Sequence, residues 1–192
     1  MTSIASEMCE MNLREALISD IPTLAKHHRS MFEEIWAQKG EPISAEKAGE
    51  IEKAYALKLE SEMDGGICKA WVVESKGEIV SNGAITFVSF VPTPYDLSSK
   101  IAYLHSIYTG ESHRNKKCAQ YVVHAAIKYC SAQGINRIIL SASNAGKHIY
   151  EKIGFHYTPD MMRLLIEKKL NKITTADRFA PADLFTCDRK NN

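Results

Sequence analysis

No stretch of this 192-residue chain reaches the roughly 20 consecutive apolar residues that a membrane helix needs, so no spanning helix is expected. Charge of one sign is not in excess either: 24 Lys and Arg stand against 23 Asp and Glu, a net charge of +1. Nonspecific nucleic-acid binding draws on clustered positive charge, so a general DNA or RNA binder is disfavoured. Cysteine is sparse and scattered. Cys9, Cys68, Cys118, Cys130 and Cys187 are odd in number, with no C-x-x-C pair and no Cys/His grouping at zinc intervals, so neither a disulfide framework nor a metal site is implied. The opening MTSIASEMCE has neither the basic n-region nor the apolar h-region of a secretory signal, and a cytoplasmic protein with reduced thiols is expected. The fingerprints G-x-x-x-x-G-K-[ST] and G-x-G-x-x-G are both missing, which removes the two commonest nucleotide-binding loops. What is present is the balance of an ordinary globular domain, 45% hydrophobic and 24% charged residues, in a chain long enough to bury a core without staples.

Residues 11–17 read as a short strand, followed by Asp20 as an N-cap and Pro22 in the first turn of a helix. In that helix Leu24, His28, Met31, Phe32, Ile35 and Trp36 recur at spacings of three and four until Gly40. A second helix begins after Ser44 and ends at Asp64-Gly65-Gly66. The period then shortens: residues 67–74 and 79–91 form a hairpin about Ser75-Lys76-Gly77, and residues 100–109 return as a strand after a Pro92/Pro94 loop. A helix follows through Ala119, Val122, Val123, Ala126, Ile127 and Cys130 to Gly134, then a strand over 137–142 and a short helix over 145–153. Residues 155–157 and 161–166 supply the last strand, so the domain is placed at 11–167, between an N-terminal extension (1–10) and a polar tail (168–192).

Two segments carry chemistry. The first is the loop from Gly110 to Cys118 that leads from a strand into a helix, where open backbone N–H groups and the positive end of the helix dipole suit phosphate. Arg114, Lys116 and Lys117 add positive charge on that approach, although a solvated basic loop gives the same pattern. The second is Asn144 to Phe155, a strand exit followed by a short helix closed by Gly154.

Taken together, these segments resemble the GNAT-type N-acetyltransferase superfamily, whose members transfer acetyl from acetyl-CoA to an amine. Its pyrophosphate motif [Q/R]-x-x-G-x-[G/A] is met at Arg114 and Ala119, with Lys117 in the place of the middle glycine. A glycine there would allow an unusual backbone angle or close approach by a phosphate. Lysine keeps the backbone N–H, and its side chain is expected to turn outward or to reach a coenzyme phosphate. A later pattern similar to N-x-x-x-x-x-Y-E-K-x-G-F is reproduced by Asn144, Tyr150, Glu151, Lys152, Gly154 and Phe155.

The resemblance implies an α/β fold with a mixed, mostly antiparallel central sheet, splayed parallel strands and flanking helices. It implies a coenzyme site at Ile107, Tyr108, Thr109, Arg114, Asn115, Lys116, Lys117, Cys118, Ala119, Asn144, Lys147 and Tyr150. The pantetheine arm would pair with backbone groups of Ile107 and Thr109, a backbone N–H would polarise the thioester carbonyl, and Tyr150 would protect the leaving thiolate with a proton or hydrogen bond. His105 takes the place of the strand glutamate that serves many relatives as general base, acting directly or through water. Glu33 and Glu34 are substitutes for it. A covalent route through Cys118 or Cys130 lacks an evident base.

From Met31 to Asp64 nine acidic residues face four lysines, which suits a cationic amine and equally suits the solvent face of two helices. The acceptor is therefore a small-molecule or peptide amine, and an exposed strand edge or the tail leaves room for a homodimer. The alternative reading is a noncatalytic acyl-CoA-binding regulatory module of the same fold.

Overall fold

Five runs of β-branched and aromatic residues assemble into a single sheet in the computed structural model, which describes residues 11–158 and residue 162. They are β1 (Met11–Glu15), β2 (Cys68–Ser75), β3 (Glu78–Ser89), β4 (Lys100–Thr109) and β5 (Ile138–Leu140), in that spatial order. Neighbours run antiparallel except β4 and β5, which are parallel. Four helices join them: α1 (Ile21–Gln38), α2 (Ala45–Met63), α3 (Cys118–Ala132) and α4 (Lys147–Ile153). This is the mixed, mostly antiparallel arrangement with flanking helices that the sequence implies.

Each face of the sheet buries a separate core. Trp71, Val73, Ile85 and Leu104 pack against Val122, Val123 and Ala126 of α3. On the other face Val72, Ala70 and Ala84 meet Leu24 of α1 and Tyr55 and Leu59 of α2. Burying one such aliphatic side chain contributes roughly 1.5–3 kcal/mol, so the period-two strands and period-3.6 helices lock each other in place. Ser44 caps α2 as its position suggests, its Oγ accepting from the Lys47 N–H at 3.2 Å.

Asp20 departs from expectation. β1 stops at Glu15 and a 3-10 turn covers Ile18–Asp20, so the Asp20 carboxylate does not cap α1. It accepts instead from the Leu17 N–H at 2.7 Å and from Arg14 at 2.7 and 3.1 Å, which holds its pKa below the usual carboxylate value. The strand expected over 137–142 is only Ile138–Leu140, and the short helix starts at Lys147 because residues 144–146 form a turn.

The described residues up to Phe155 belong to one unit, and those from His156 onward to a second. Phe155 to Thr158 carry no regular secondary structure. Residue 161, residues 163–166 of the expected last strand, the extension 1–10 and the tail 168–192 lie outside the described residues.

Candidate active site

The site grows from a break in the β3–β4 ladder. Ala84 pairs with His105, but Asn82 pairs with Tyr108, so Ser106 and Ile107 together face Gly83. Ser106 takes the extra residue in a left-handed conformation, φ 55, the geometry of a β-bulge. A consequence is that His105 and Ser106 share one face of the sheet: the Ser106 Oγ lies 3.1 Å from His105 Nδ1 and 2.8 Å from His28 Nδ1 of α1. Ile107 returns to the α3 face directly over Gly83, where an added Cβ would run into Ile107 Cδ1 and lie 2.8 Å from Val122 Cγ1. Space, not backbone angle, favours glycine at this point: a side chain here would have to displace Ile107 and Val122.

In a planar trans peptide the C=O and the following N–H point in opposite directions. The Ser106 carbonyl accepts from Asn82 Nδ2 at 3.1 Å and the Tyr108 carbonyl from Ser81 Oγ at 2.7 Å. The N–H groups of Ile107 and Thr109 consequently face away from these β3 partners. On that side the sheet opens, because β5 pairs with β4 only from Ala102↔Ile138 to Leu104↔Leu140, leaving residues 105–109 of β4 without a β5 partner.

Beyond Thr109, a 3-10 turn at Glu111–His113 leads to α3. Asn115 and Lys117 both adopt left-handed backbone, φ 63 and φ 64. The usual glycine at the position of Lys117 is thereby explained, since a β-carbon disfavours that region by roughly 1–2 kcal/mol. Lys117 stands at the α3 N-cap without capping through its side chain, and the amides of Cys118 and Ala119 open the helix. Arg114 is engaged elsewhere: it makes a two-pronged ion pair with Glu34 of α1 at 2.6 and 2.8 Å, and its Nε donates to the Thr109 carbonyl at 3.1 Å. The loop and α1 are thus tied together.

Tyr150 on α4 is largely buried, its ring 5.9 Å from that of Phe155 and against Gly146, where a Cβ would approach Tyr150 Cε2 to 3.3 Å. Burial pushes its phenol up to about 12, so it holds its proton at neutral pH. Asn144 lies exposed in the turn before α4, and Lys147 in the first turn of α4 pairs with Glu151 at 3.6 Å.

Across the site from Tyr150's element lies a polar cluster between the helices and the sheet. His105 Nδ1 is 3.3 Å from Tyr55 Oη, and its Nε2 is 2.9 Å from Thr86 Oγ1. Thr86 accepts from Lys58 Nζ at 3.0 Å and donates to Glu62 at 3.3 Å, and Lys58 and Glu62 form an ion pair. Burial first, then the positive charge of Lys58 and the neighbouring His28, pulls His105 down to about 3. Burial brings His28, stacked on Tyr55 at 3.8 Å, to about 4. Both rings are neutral at physiological pH. Of the substitutes for His105, Glu33 pairs with Arg29 at 3.6 Å and Glu34 is held by Arg114. Cys118 and Cys130 are buried thiols with raised pKa, Cys130 at about 11, as befits packed rather than nucleophilic sulfur. Among the described residues no group of three or more His, Cys, Asp or Glu side chains is placed to hold a metal.

Asn82, Ser106, His28, Tyr55 and Thr86 are not singled out by sequence motifs. One signal was readable: a glycine inside an apolar strand, as at Gly83, marks a bulge or a close backbone approach.

A bulged strand parting from its parallel neighbour beside an open helix N-terminus is the arrangement that the sequence resemblance implies. The chain belongs to the acetyltransferase (GNAT) family, whose profile matches residues 23–155. Among solved structures, it is similar to a predicted acetyltransferase with acetyl-CoA from Clostridium acetobutylicum (24% identity, TM-score 0.72, covering 82% of this chain and 97% of that one). A GCN5-related N-acetyltransferase from Ralstonia eutropha matches equally well (22% identity, TM-score 0.72, 81% and 99% covered). Glucosamine-6-phosphate N-acetyltransferase from Arabidopsis thaliana shares the fold more distantly (19% identity, TM-score 0.55, 81% and 97% covered). No curated protein matches in sequence.

Proposed function

We propose that this protein moves an acetyl group from acetyl-CoA to a primary amine by direct attack while both substrates are bound. The observation that carries the proposal is the gap beside residues 105–109 of β4, flanked by the Ile107 and Thr109 amides and by the α3 N-terminus. The amides of Cys118 and Ala119, with the basic loop from Asn115 to Lys117, suit the coenzyme's pyrophosphate. The family resemblance assigns Asn144 and Lys147, before and at the start of α4, to the same coenzyme site. The pantetheine arm pairs with backbone groups of residues 107–109, and the Ile107 N–H faces the thioester carbonyl as charge grows on its oxygen.

An alkyl amine with a pKa near ~10 arrives protonated and must lose that proton before it attacks. His105 handles it as a neutral relay: Ser106 takes the ammonium proton as it passes its own to Nδ1, Nε2 gives its proton to Thr86, and Thr86 passes its own to the Glu62 carboxylate. A ring pulled down to about 3 is poor at storing a proton and suited to passing one on. Tyr150, protonated throughout the working range, supplies the hydrogen bond to the departing thiolate. The acceptor is a small-molecule or peptide amine, and the acidic surface of α1 and α2 favours a cationic one.

The test is thiol release from acetyl-CoA across a panel of amines and peptides. Amine-dependent release is expected, with Tyr150→Phe lowering turnover at unchanged coenzyme affinity and His105→Ala altering the pH–rate profile. Coenzyme binding without release on any amine would return the noncatalytic acyl-CoA-binding module.

A further inference from the structure

Asn82 is a polar side chain with 1% exposure in the buried middle of β3. Burying an amide is costly unless its hydrogen-bonding groups are met, and here both ends are. Its Oδ1 is 2.6 Å from Nδ1 of His27 on α1, and its Nδ2 donates to the Ser106 carbonyl at 3.1 Å. With the nitrogen committed as donor, the oxygen must accept, so His27 presents Nδ1–H and the orientation of the amide is fixed from the helix side. The His27 ring is in turn held against Tyr108 at 4.8 Å.

The carbonyl it holds lies at the bulge, where the ladder leaves both Ser106 and Ile107 without a paired residue on β3. No partner on β3 is assigned to Ser106 in the β3–β4 register, and Ser106 has the left-handed backbone, φ 55. A serine held there is strained and needs outside support. Because the Ser106 C=O and the Ile107 N–H are two ends of one rigid plane, a bond that fixes the first aims the second.

We infer that Asn82 is a positioning residue that, anchored by His27, sets the direction of the Ile107 N–H toward the thioester carbonyl. This rests on the acetyl-transfer reading above. Leucine at this place would leave the Ser106 carbonyl and His27 unpaired. Aspartate would keep the shape but could not donate to Ser106.

The experiment is isotope-edited infrared spectroscopy of acetyl-CoA, labelled with 13C at the acetyl carbonyl, bound to the full chain and to Asn82→Asp and Asn82→Ala, with the dissociation constant and thermal midpoint measured on each. In the unsubstituted protein the bound carbonyl band moves to lower frequency than in solution, because a fixed donor polarises it. In Asn82→Asp the band returns toward its solution position while the dissociation constant changes only a few-fold. Once an acceptor is in hand, the turnover number falls roughly ten- to hundredfold, less than the full loss of an oxyanion donor, with little change in the Michaelis constant for acetyl-CoA. Should Asn82→Ala fail to fold, the isosteric Asn82→Asp carries the test, and His27→Phe, which frees the amide to rotate, is expected to give a smaller return of the band. A polarised band that survives in Asn82→Asp overturns this inference and leaves acetyl transfer standing. No binding of acetyl-CoA by the unsubstituted protein overturns the transferase reading itself.

Discussion

The two faces of the sheet use the same strands for different ends. On the α3 face Ile85, Leu104, Val122 and Val123 are at most 2% exposed and belong to one continuous apolar core. On the α1–α2 face the packing starts the same way, with Leu24, Leu59 and Val72, but over β3 and β4 it gives way to Asn82, Thr86, His105 and Ser106. Burying that many polar groups yields little stability even when each finds a partner, since hydrogen bonds made on folding replace bonds to water. The contrast teaches that one face of the sheet is packed as apolar core while the other carries a buried polar cluster beside its core. Adjacent residues on β3, pointing opposite ways, divide the two tasks.

The sharpest test of that division compares Ile85 with its neighbour Thr86. Ile85→Ala is expected to cost about 2–5 kcal/mol of stability, read from urea unfolding, with the activity of the folded fraction retained. Thr86→Val is expected to cost about 1 kcal/mol and to lower turnover by breaking the path from His105 to Glu62. Equal stability losses at the two positions would erase the distinction between the faces.

A smaller effect is expected from pH. His28 and His105 sit at about 4 and about 3, below the ordinary value of 6.5. Below pH 6.5 the unfolded chain takes up protons that the folded chain refuses, so stability falls as the pH drops from 6.5 toward 4, and for His105 onward toward 3. The slope is at most about 1.4 kcal/mol per pH unit for each ring. His28→Gln should flatten it in unfolding curves between pH 6.5 and 4, with Asp20, whose pKa Arg14 lowers, adding its own loss only below its usual value of 3.8. A slope unchanged in His28→Gln would place the uptake elsewhere.

The smallest change concerns Lys117. Replacing this left-handed residue with glycine relieves backbone strain but loosens the unfolded chain, for a net gain of roughly 0.5 kcal/mol in thermal or urea unfolding. Coenzyme affinity is expected to stay level or weaken a few-fold. Much tighter binding by Lys117→Gly would mark the lysine as an obstruction.

Much of this architecture was legible in the sequence. The expected strand over 100–109 matches β4 at both ends, because β-branched and aromatic residues there are bounded by a proline loop and a glycine. A glycine at position 117 would serve an unusual backbone angle or a close phosphate approach, and the lysine there adopts the first, a left-handed backbone. The bulge was hidden. Strict alternation would put His105 and Ile107 on one face, whereas the left-handed Ser106 sends His105 to the helices and Ile107 to the α3 core. Contacts between residues 50 or more positions apart, such as Tyr55 with His105 and Glu34 with Arg114, depend on how α1 and α2 cross the sheet. Local pattern carries no trace of them, and the burial they accompany lowers the His105 pKa while Glu34 fixes where the Arg114 side chain goes.

The central claim, that the opening beside β4 is a coenzyme site, is tested most directly by the thermal unfolding midpoint with and without saturating acetyl-CoA. At a hundredfold excess over the dissociation constant, linkage predicts ~2.7 kcal/mol of stabilisation, a rise of roughly 5–10 °C for a chain of this size. A rise of that order with acetyl-CoA but not with adenine is the predicted result. An unchanged midpoint at millimolar acetyl-CoA would contradict it.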